Sequence, residues 1–248
     1  MNSTKIICIK ITILLLLMQA SVTGLASPNE NTLPISNKFS VEYVLKSGLF
    51  TIGKTRRTLT PQGNGLYAFE SYTWPAGILS IFYKGDVTER SLWKYQNKMA
   101  VPIQYSYIDT NKKSKRDIKL SFDWENKKVT NTINDKPWNM KIKDGTQDKL
   151  LYQISIMLDL ANNPHLKKLQ YTVADGGKLK VYNANVEKKE TIKTPAGDFE
   201  TLMISRDDGK RVTTLWCAPS LSYLPVRIEH YKKGETKLNA YLTKFSGL

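Results

Sequence analysis

Cysteine and histidine are nearly absent from this 248-residue chain: Cys8, Cys217, His165 and His230 are all it has. Cys8 precedes the apolar run of an N-terminal export signal, so a cleaved chain keeps only Cys217 and cannot form an internal disulfide; burial of apolar surface must stabilise it. Two distant histidines make no H-E-x-x-H pair, and one cysteine makes no zinc knuckle. The sequence has no G-x-S-x-G elbow and no phosphate-cradling glycine loop, so acyl and phosphoryl transfer lack their signatures. It also lacks a long hydrophobic run. Its most apolar stretch, Ile11 to Met18, is broken by Thr12 and followed by Gln19, short of the roughly 20 residues that span a bilayer. Acidic residues are scarce as well, 22 against 37 Lys and Arg, for a formal charge of +15.

What is present begins with an address. Lys5 and Lys10 precede the apolar run, and Gly24-Leu25-Ala26 offers small residues where a signal peptidase cuts, so residues 1–26 read as a cleavable signal peptide. A retained anchor is the weaker alternative, because polar Gln19 and Ser21 follow the short run. Residues 27–37, rich in Ser, Pro and Asn, read as a flexible leader, and 38–248 as a single β-rich domain. The excess of positive charge draws such an exported chain toward anionic lipid or envelope polysaccharide, with peripheral membrane association and no nucleic-acid partner.

Period-two alternation dominates the domain. Phe39, Val41, Tyr43 and Leu45 alternate with Ser40, Glu42, Val44 and Lys46, the pattern of a strand with one buried face. Comparable segments are Leu66–Trp74, Val87–Tyr95, Val101–Ile108, Ile118–Trp124, Val129–Ile133, Trp138–Ile142, Leu169–Ala174, Leu179–Val186, Phe199–Ser205, Val212–Trp216, Leu224–His230 and Leu238–Phe245. Turn signals separate them, among them Asp175-Gly176-Gly177 and Asp207-Asp208-Gly209.

One segment breaks this period. Between Asp148 and Ala161, Leu150, Leu151, Ile154, Met157, Leu158 and Ala161 form a helical stripe, with Thr146 as its cap, Asp148 against its dipole and Asn162-Asn163-Pro164 as its stop. The fold class is therefore all-β with one central helix: a long curved antiparallel sheet or open β-barrel-like fold wrapped over that helix. A β-sandwich is the alternative.

Several stretches resemble one family. Thr194-Pro195-Ala196-Gly197-Asp198-Phe199-Glu200-Thr201, Leu215-Trp216-Cys217-Ala218-Pro219 and Tyr223-Leu224-Pro225-Val226-Arg227-Ile228-Glu229, with Phe39-Ser40-Val41-Glu42-Tyr43 and Phe122-Asp123-Trp124 upstream, are similar to the domain of unknown function 3108 family of exported Gram-negative proteins. The resemblance implies a periplasmic location and one β-rich domain, and it brings no catalytic residues. Read on their own, Pro195 and Gly197 make a tight turn that aims Phe199 at the core, and Arg227 is placed to pair with a carboxylate on a neighbouring strand.

The expected function is noncatalytic: a periplasmic binding or accessory protein holding a lipid or lipid-like envelope component in an apolar cleft, without metal or cofactor. The candidate ligand contacts are Trp74, Ile78, Phe82, Trp216, Tyr223 and Arg227. Trp74 to Phe82 reads as a lid over the cleft or as a loop packed on the core. Two other readings stand beside this one: a protein-interaction module in envelope assembly, and a hydrolase of envelope glycan or lipid with carboxylates drawn from separate strands. Cys217 reads as a small buried apolar side chain. The basic clusters Lys112 to Arg116, Lys127-Lys128, Lys188-Lys189 and Lys232-Lys233 read as solvated hairpin tips or as an anionic docking face.

Overall fold

The structure, a computed structural model, describes residues 32–111, 116–232 and 237–248. The signal peptide and Lys112 to Lys115 lie outside these residues. Fifteen strands form one continuous sheet, which excludes the sandwich. In chain order they are β1 Phe39–Ser47, β2 Phe50–Gly63, β3 Leu66–Pro75, β4 Val87–Gln96, β5 Met99–Asp109, β6 Arg116–Asp123, β7 Lys128–Ile133, β8 Lys136–Lys141, β9 Gln147–Asp148, β10 Lys168–Asp175, β11 Lys178–Thr194, β12 Gly197–Asp207, β13 Arg211–Ala218, β14 Leu224–Lys232 and β15 Leu238–Ser246. Among the described residues two α-helices interrupt the series, α1 Leu79–Phe82 and α2 Tyr152–Asn162.

The sheet is two meanders joined at the chain ends. One runs outward from β1 to β8 and the other from β15 to β9, and β1 pairs antiparallel with β15. Every neighbouring pair is antiparallel except β9 with β10. Such a long twisted sheet curls rather than staying flat, and its two far ends approach each other. There Trp138 of β8 donates its indole N–H to the Gly177 carbonyl, in the β10–β11 turn, at 3.3 Å.

Helix α2 fills the hollow. Leu150, Leu151, Ile154, Ile156, Met157, Leu158 and Leu160 are each at most 2% exposed, and each is worth about 1.5 to 3 kcal/mol of burial before ordering entropy is subtracted. The helix is thus covered on nearly all sides instead of along one stripe, because the sheet wraps around it. Its start also differs from the expectation. Thr146 bonds within its own turn, to Lys143, while the Asp148 carboxylate accepts the Leu150 and Leu151 amides at 2.8 and 2.7 Å, meeting donors that the first turn leaves open. Asn163 ends the helix, its amide bonded to the Asp159 carbonyl and its backbone extended ahead of Pro164.

Residues 32–37 of the expected leader are described. Ile35 is buried, Leu33 packs against the core, and Ser36 bonds to the Gly247 carbonyl.

Candidate functional site

Alternation along each strand puts one set of side chains on the concave face, and the hollow differs at its two ends. Toward the chain termini it is apolar and solid: Phe39, Val41, Leu59, Trp93, Leu202, Cys217 and Leu242 close around α2. The space left beside α2, between Tyr152, Ile156, Ile204 and Leu215, is about 10 Å³, at most the room of one water molecule. No acyl chain fits there. In this part of the hollow α2 takes up the apolar space.

The opposite end is a polar mouth. Arg57 of β2 bonds to Gln153 of α2 at 2.6 Å and lies over the Tyr43 ring. Arg206 of β12 stacks on Tyr182 with 3.7 Å to the ring centroid and bonds to Thr213 of β13. Thr213 in turn meets the His230 Nδ1 of β14 at 3.1 Å. Lys149 reaches Glu89 of β4 at 3.5 Å, and Tyr105 of β5 donates to the same carboxylate at 2.7 Å. Neither Arg57 nor Arg206 has a carboxylate partner among the described residues, and the Nε of each is buried without a hydrogen bond.

These charges set the protonation of the mouth. Enclosure by protein lowers the His230 pKa to about 4, and Arg57, Arg206, Lys149 and Arg211 push it the same way. The residue keeps solvent access, which makes the four cations the firmer cause, and His230 is neutral at pH 7. Burial opposes the Lys149 ammonium, but the Glu89 and Asp175 carboxylates outweigh it and hold the pKa above its ordinary value. Burial likewise raises the Asp175 pKa, and the bonds from Lys180 and Tyr182 overcome it, leaving that carboxyl below the usual range.

The rim of the mouth is apolar. Leu49, 95% exposed in the turn from β1 to β2, is followed by Phe50, 64%, at the start of β2; Ile78, at 53%, precedes α1, and Ile81 and Phe82, at 66 and 77%, belong to it, in the connection from β3 to β4. The two turns touch. The Ala76 amide donates to the Ile52 carbonyl at 3.1 Å, and Gly77 approaches the Thr51 carbonyl so closely that a Cβ would stand 2.3 Å from its oxygen. Lys46, Lys54 and Lys84 lie beside them.

The curved sheet with its single enclosed helix has a counterpart elsewhere. A β-barrel-like protein of domain of unknown function DUF1849 from Brucella abortus superposes with a TM-score of 0.56 over 86% of this chain and 98% of its own, at 10% identity, a likeness of fold alone. No curated protein is similar in sequence. Residues 38–243 match the model described as "Protein of unknown function (DUF3108)". The chain belongs to the DUF3108 family.

In this DUF3108 protein the six candidate contacts do not converge. Ile78 and Phe82 share the rim, with Trp74 close by on the outer face, stacked on Tyr72; α1 buries none of its residues, so the segment is not packed on the core. Trp216 and Arg227 lie on the convex face. The Arg227 guanidinium sits 4.2 Å from the Trp216 ring and 5.3 Å from that of Tyr241, spanning β13, β14 and β15. Its carboxylate partner is Glu229 on its own strand, and the neighbouring strand contributes Asn239. The Trp216 indole donates to Glu190 at 2.7 Å. Tyr223 is at the far end, at φ 60° in the turn before β14, and packs against the core.

The aspartates of the β12–β13 turn serve the turn itself. Asp207 accepts the Gly209 amide, and Asp208 those of Lys210 and Arg211. Among the described residues no cluster of three or more His, Cys, Asp and Glu could hold a metal ion. The mouth residues Arg57, Lys149, Arg206, Arg211 and His230 escaped the sequence reading, since four come from separate strands and Lys149 from the segment ahead of α2, and only register and tertiary packing unite them.

Proposed function

We propose that this protein is a noncatalytic binding or accessory protein of the periplasm that engages an anionic lipid surface through the rim of its mouth. The supporting observation is the apolar rim of Leu49, Phe50, Ile78, Ile81 and Phe82, flanked by lysines, over a hollow whose apolar part is already full. Exposed apolar side chains gathered on one edge mark an interaction surface. A basic border suits a bilayer carrying anionic headgroups, where each nearby Lys adds about 1 kcal/mol. This reading puts the lipid contact outside the barrel rather than in a cleft within it.

The test is sedimentation with vesicles of phosphatidylethanolamine and phosphatidylglycerol. The wild-type protein is expected to pellet with them and to bind phosphatidylcholine vesicles more weakly. The combined variant L49S/F50S/I81S/F82S should lose binding by about tenfold or more, since each side chain buried in lipid is worth over 1 kcal/mol. Equal binding by this variant, or none by the wild type, defeats the reading. A solid core with an exposed apolar patch also suits an interaction module; self-association or capture of one envelope protein that the serine variant abolishes, without vesicle binding, would favour that second reading.

A further inference from the structure

The mouth contains an open cavity of about 310 Å³ beside the seam where the two ends of the sheet approach. Arg116 of β6, Lys149 ahead of α2, Lys180 of β11 and Arg211 of β13 line it, against one lining carboxylate, Asp175. Asp175 is already taken by Lys180 at 2.6 Å, and Lys149 leans toward Glu89. No ion pair engages Arg116 or Arg211 among the described residues, and both are exposed. Tyr105 and Tyr107 form one wall, and Asn131, 1% exposed, adds a side-chain Nδ2 with no hydrogen-bond partner.

A larger hollow of about 440 Å³ at the opposite end of the sheet has a different character. Lys94 is the one cation of its lining, against Glu125 and Asp144, so that lining does not favour an anion. In the mouth four cations converge from four different parts of the chain, and two guanidiniums keep their donor forks free. Planar forks of this kind bind phosphate with two parallel hydrogen bonds. Low-dielectric walls strengthen the attraction relative to an open surface.

We infer that this cavity is a binding site for a phosphate ester, with Arg116 and Arg211 gripping the phosphate, Lys149 and Lys180 adding charge, and Tyr105 and Tyr107 flanking the organic part. Its volume is at the small end of ligand sites, which suits a headgroup-sized molecule. The same chemistry is offered by a free phosphoester and by a lipid headgroup presented at the rim. The site does not rest on the lipid-docking reading, because none of its lining residues belongs to the apolar rim.

The experiment is isothermal titration with three probes: glycerol 3-phosphate, monomeric dihexanoylphosphatidylglycerol, and glycerol as the uncharged control. Saturable binding of glycerol 3-phosphate identifies a free phosphoester as sufficient, binding of the short-chain lipid alone identifies a headgroup, and glycerol is expected not to bind. Arg116→Gln and Arg211→Gln should each weaken binding by about tenfold or more. Both side chains are exposed and unpaired, so the variants should melt with the wild type. Arg56→Gln, on the outer face in an ion pair with Glu42, should bind normally, as should the rim variant L49S/F50S/I81S/F82S. Absence of saturable binding by both phosphate probes, or unchanged affinity in both Arg variants, overturns the inference.

Discussion

Ser91 of β4 donates a 2.6 Å hydrogen bond to the Asp148 carboxylate, 57 positions later in the chain, where that carboxylate also holds the amides that open helix α2. A single carboxyl group, fully buried, thus ties the first meander to the plug that fills the hollow. Burial raises its pKa to about 6 against the pull of Ser91 and the two amides.

That linkage predicts a pH dependence. A folded-state pKa above the unfolded value favours the folded protein most at pH below about 4, and the advantage is lost as pH rises through about 6. Urea unfolding at pH 5 and pH 7.5 should show this part of the slope vanish in D148N. D148A should cost about 2 to 3 kcal/mol, because two amides and a hydroxyl lose their buried acceptor.

Closure of the sheet depends on Gly177. Its φ is 77°, and a Cβ there would come within 2.1 Å of the Trp138 ring, so both backbone and space demand glycine. Gly177→Ala should destabilise the protein by about 1 to 3 kcal/mol. Hydrogen exchange should locate the loss at β8 and the β10–β11 turn, while β1 and β15 keep their protection.

His230 should titrate far below an ordinary histidine. Its imidazole proton resonances, followed by NMR, are expected to move near pH 4, and those of R206Q at a higher pH once one facing cation is gone. The sign for stability follows: a depressed histidine pKa favours the folded state above about pH 6.5, and this contribution declines as pH falls toward 4. A His230 titration at pH 6.5 would contradict the charged mouth.

Cys217 should be inert. It is 0% exposed, and burial pushes its thiol pKa up. Thiol reagents should label it only after unfolding, with a native-state labelling rate that tracks urea concentration. Labelling at the rate of a free thiol in the native protein would contradict its place in the core.

Most strands were legible because period-two alternation needs only neighbours in sequence. Strand β2 was not: Thr51 to Thr60 is rich in Thr, Lys and Arg, and of its inward positions Gly53, Thr55, Arg57 and Leu59 only Leu59 is apolar, too little to show an alternation. Strand β11 extends to Thr194, past the expected Val186, because a bulge between Val186 and Lys189 breaks the alternation and a mostly exposed strand has little of it to show. For the same reason Lys188-Lys189 lies within a strand rather than at a hairpin tip, whereas Lys127-Lys128 does sit at the β6–β7 turn. The helix was visible, but the burial of Ile156 and Leu160 was not, since a stripe shows which face is most apolar and not how far a sheet will wrap around it.

By itself the sequence determined the β class, the position of the helix, the burial of Cys217 and the family, all of which are written in short-range pattern and local motif. Tertiary structure alone decided that the two meanders join at β1 and β15, that α2 fills the apolar hollow, and that Arg57, Lys149, Arg206, Arg211 and His230 share one mouth. Strand register is the physical reason. A shift by one residue reverses which side chains point inward, and register between distant strands is set by the packing of the whole barrel rather than by any segment within it.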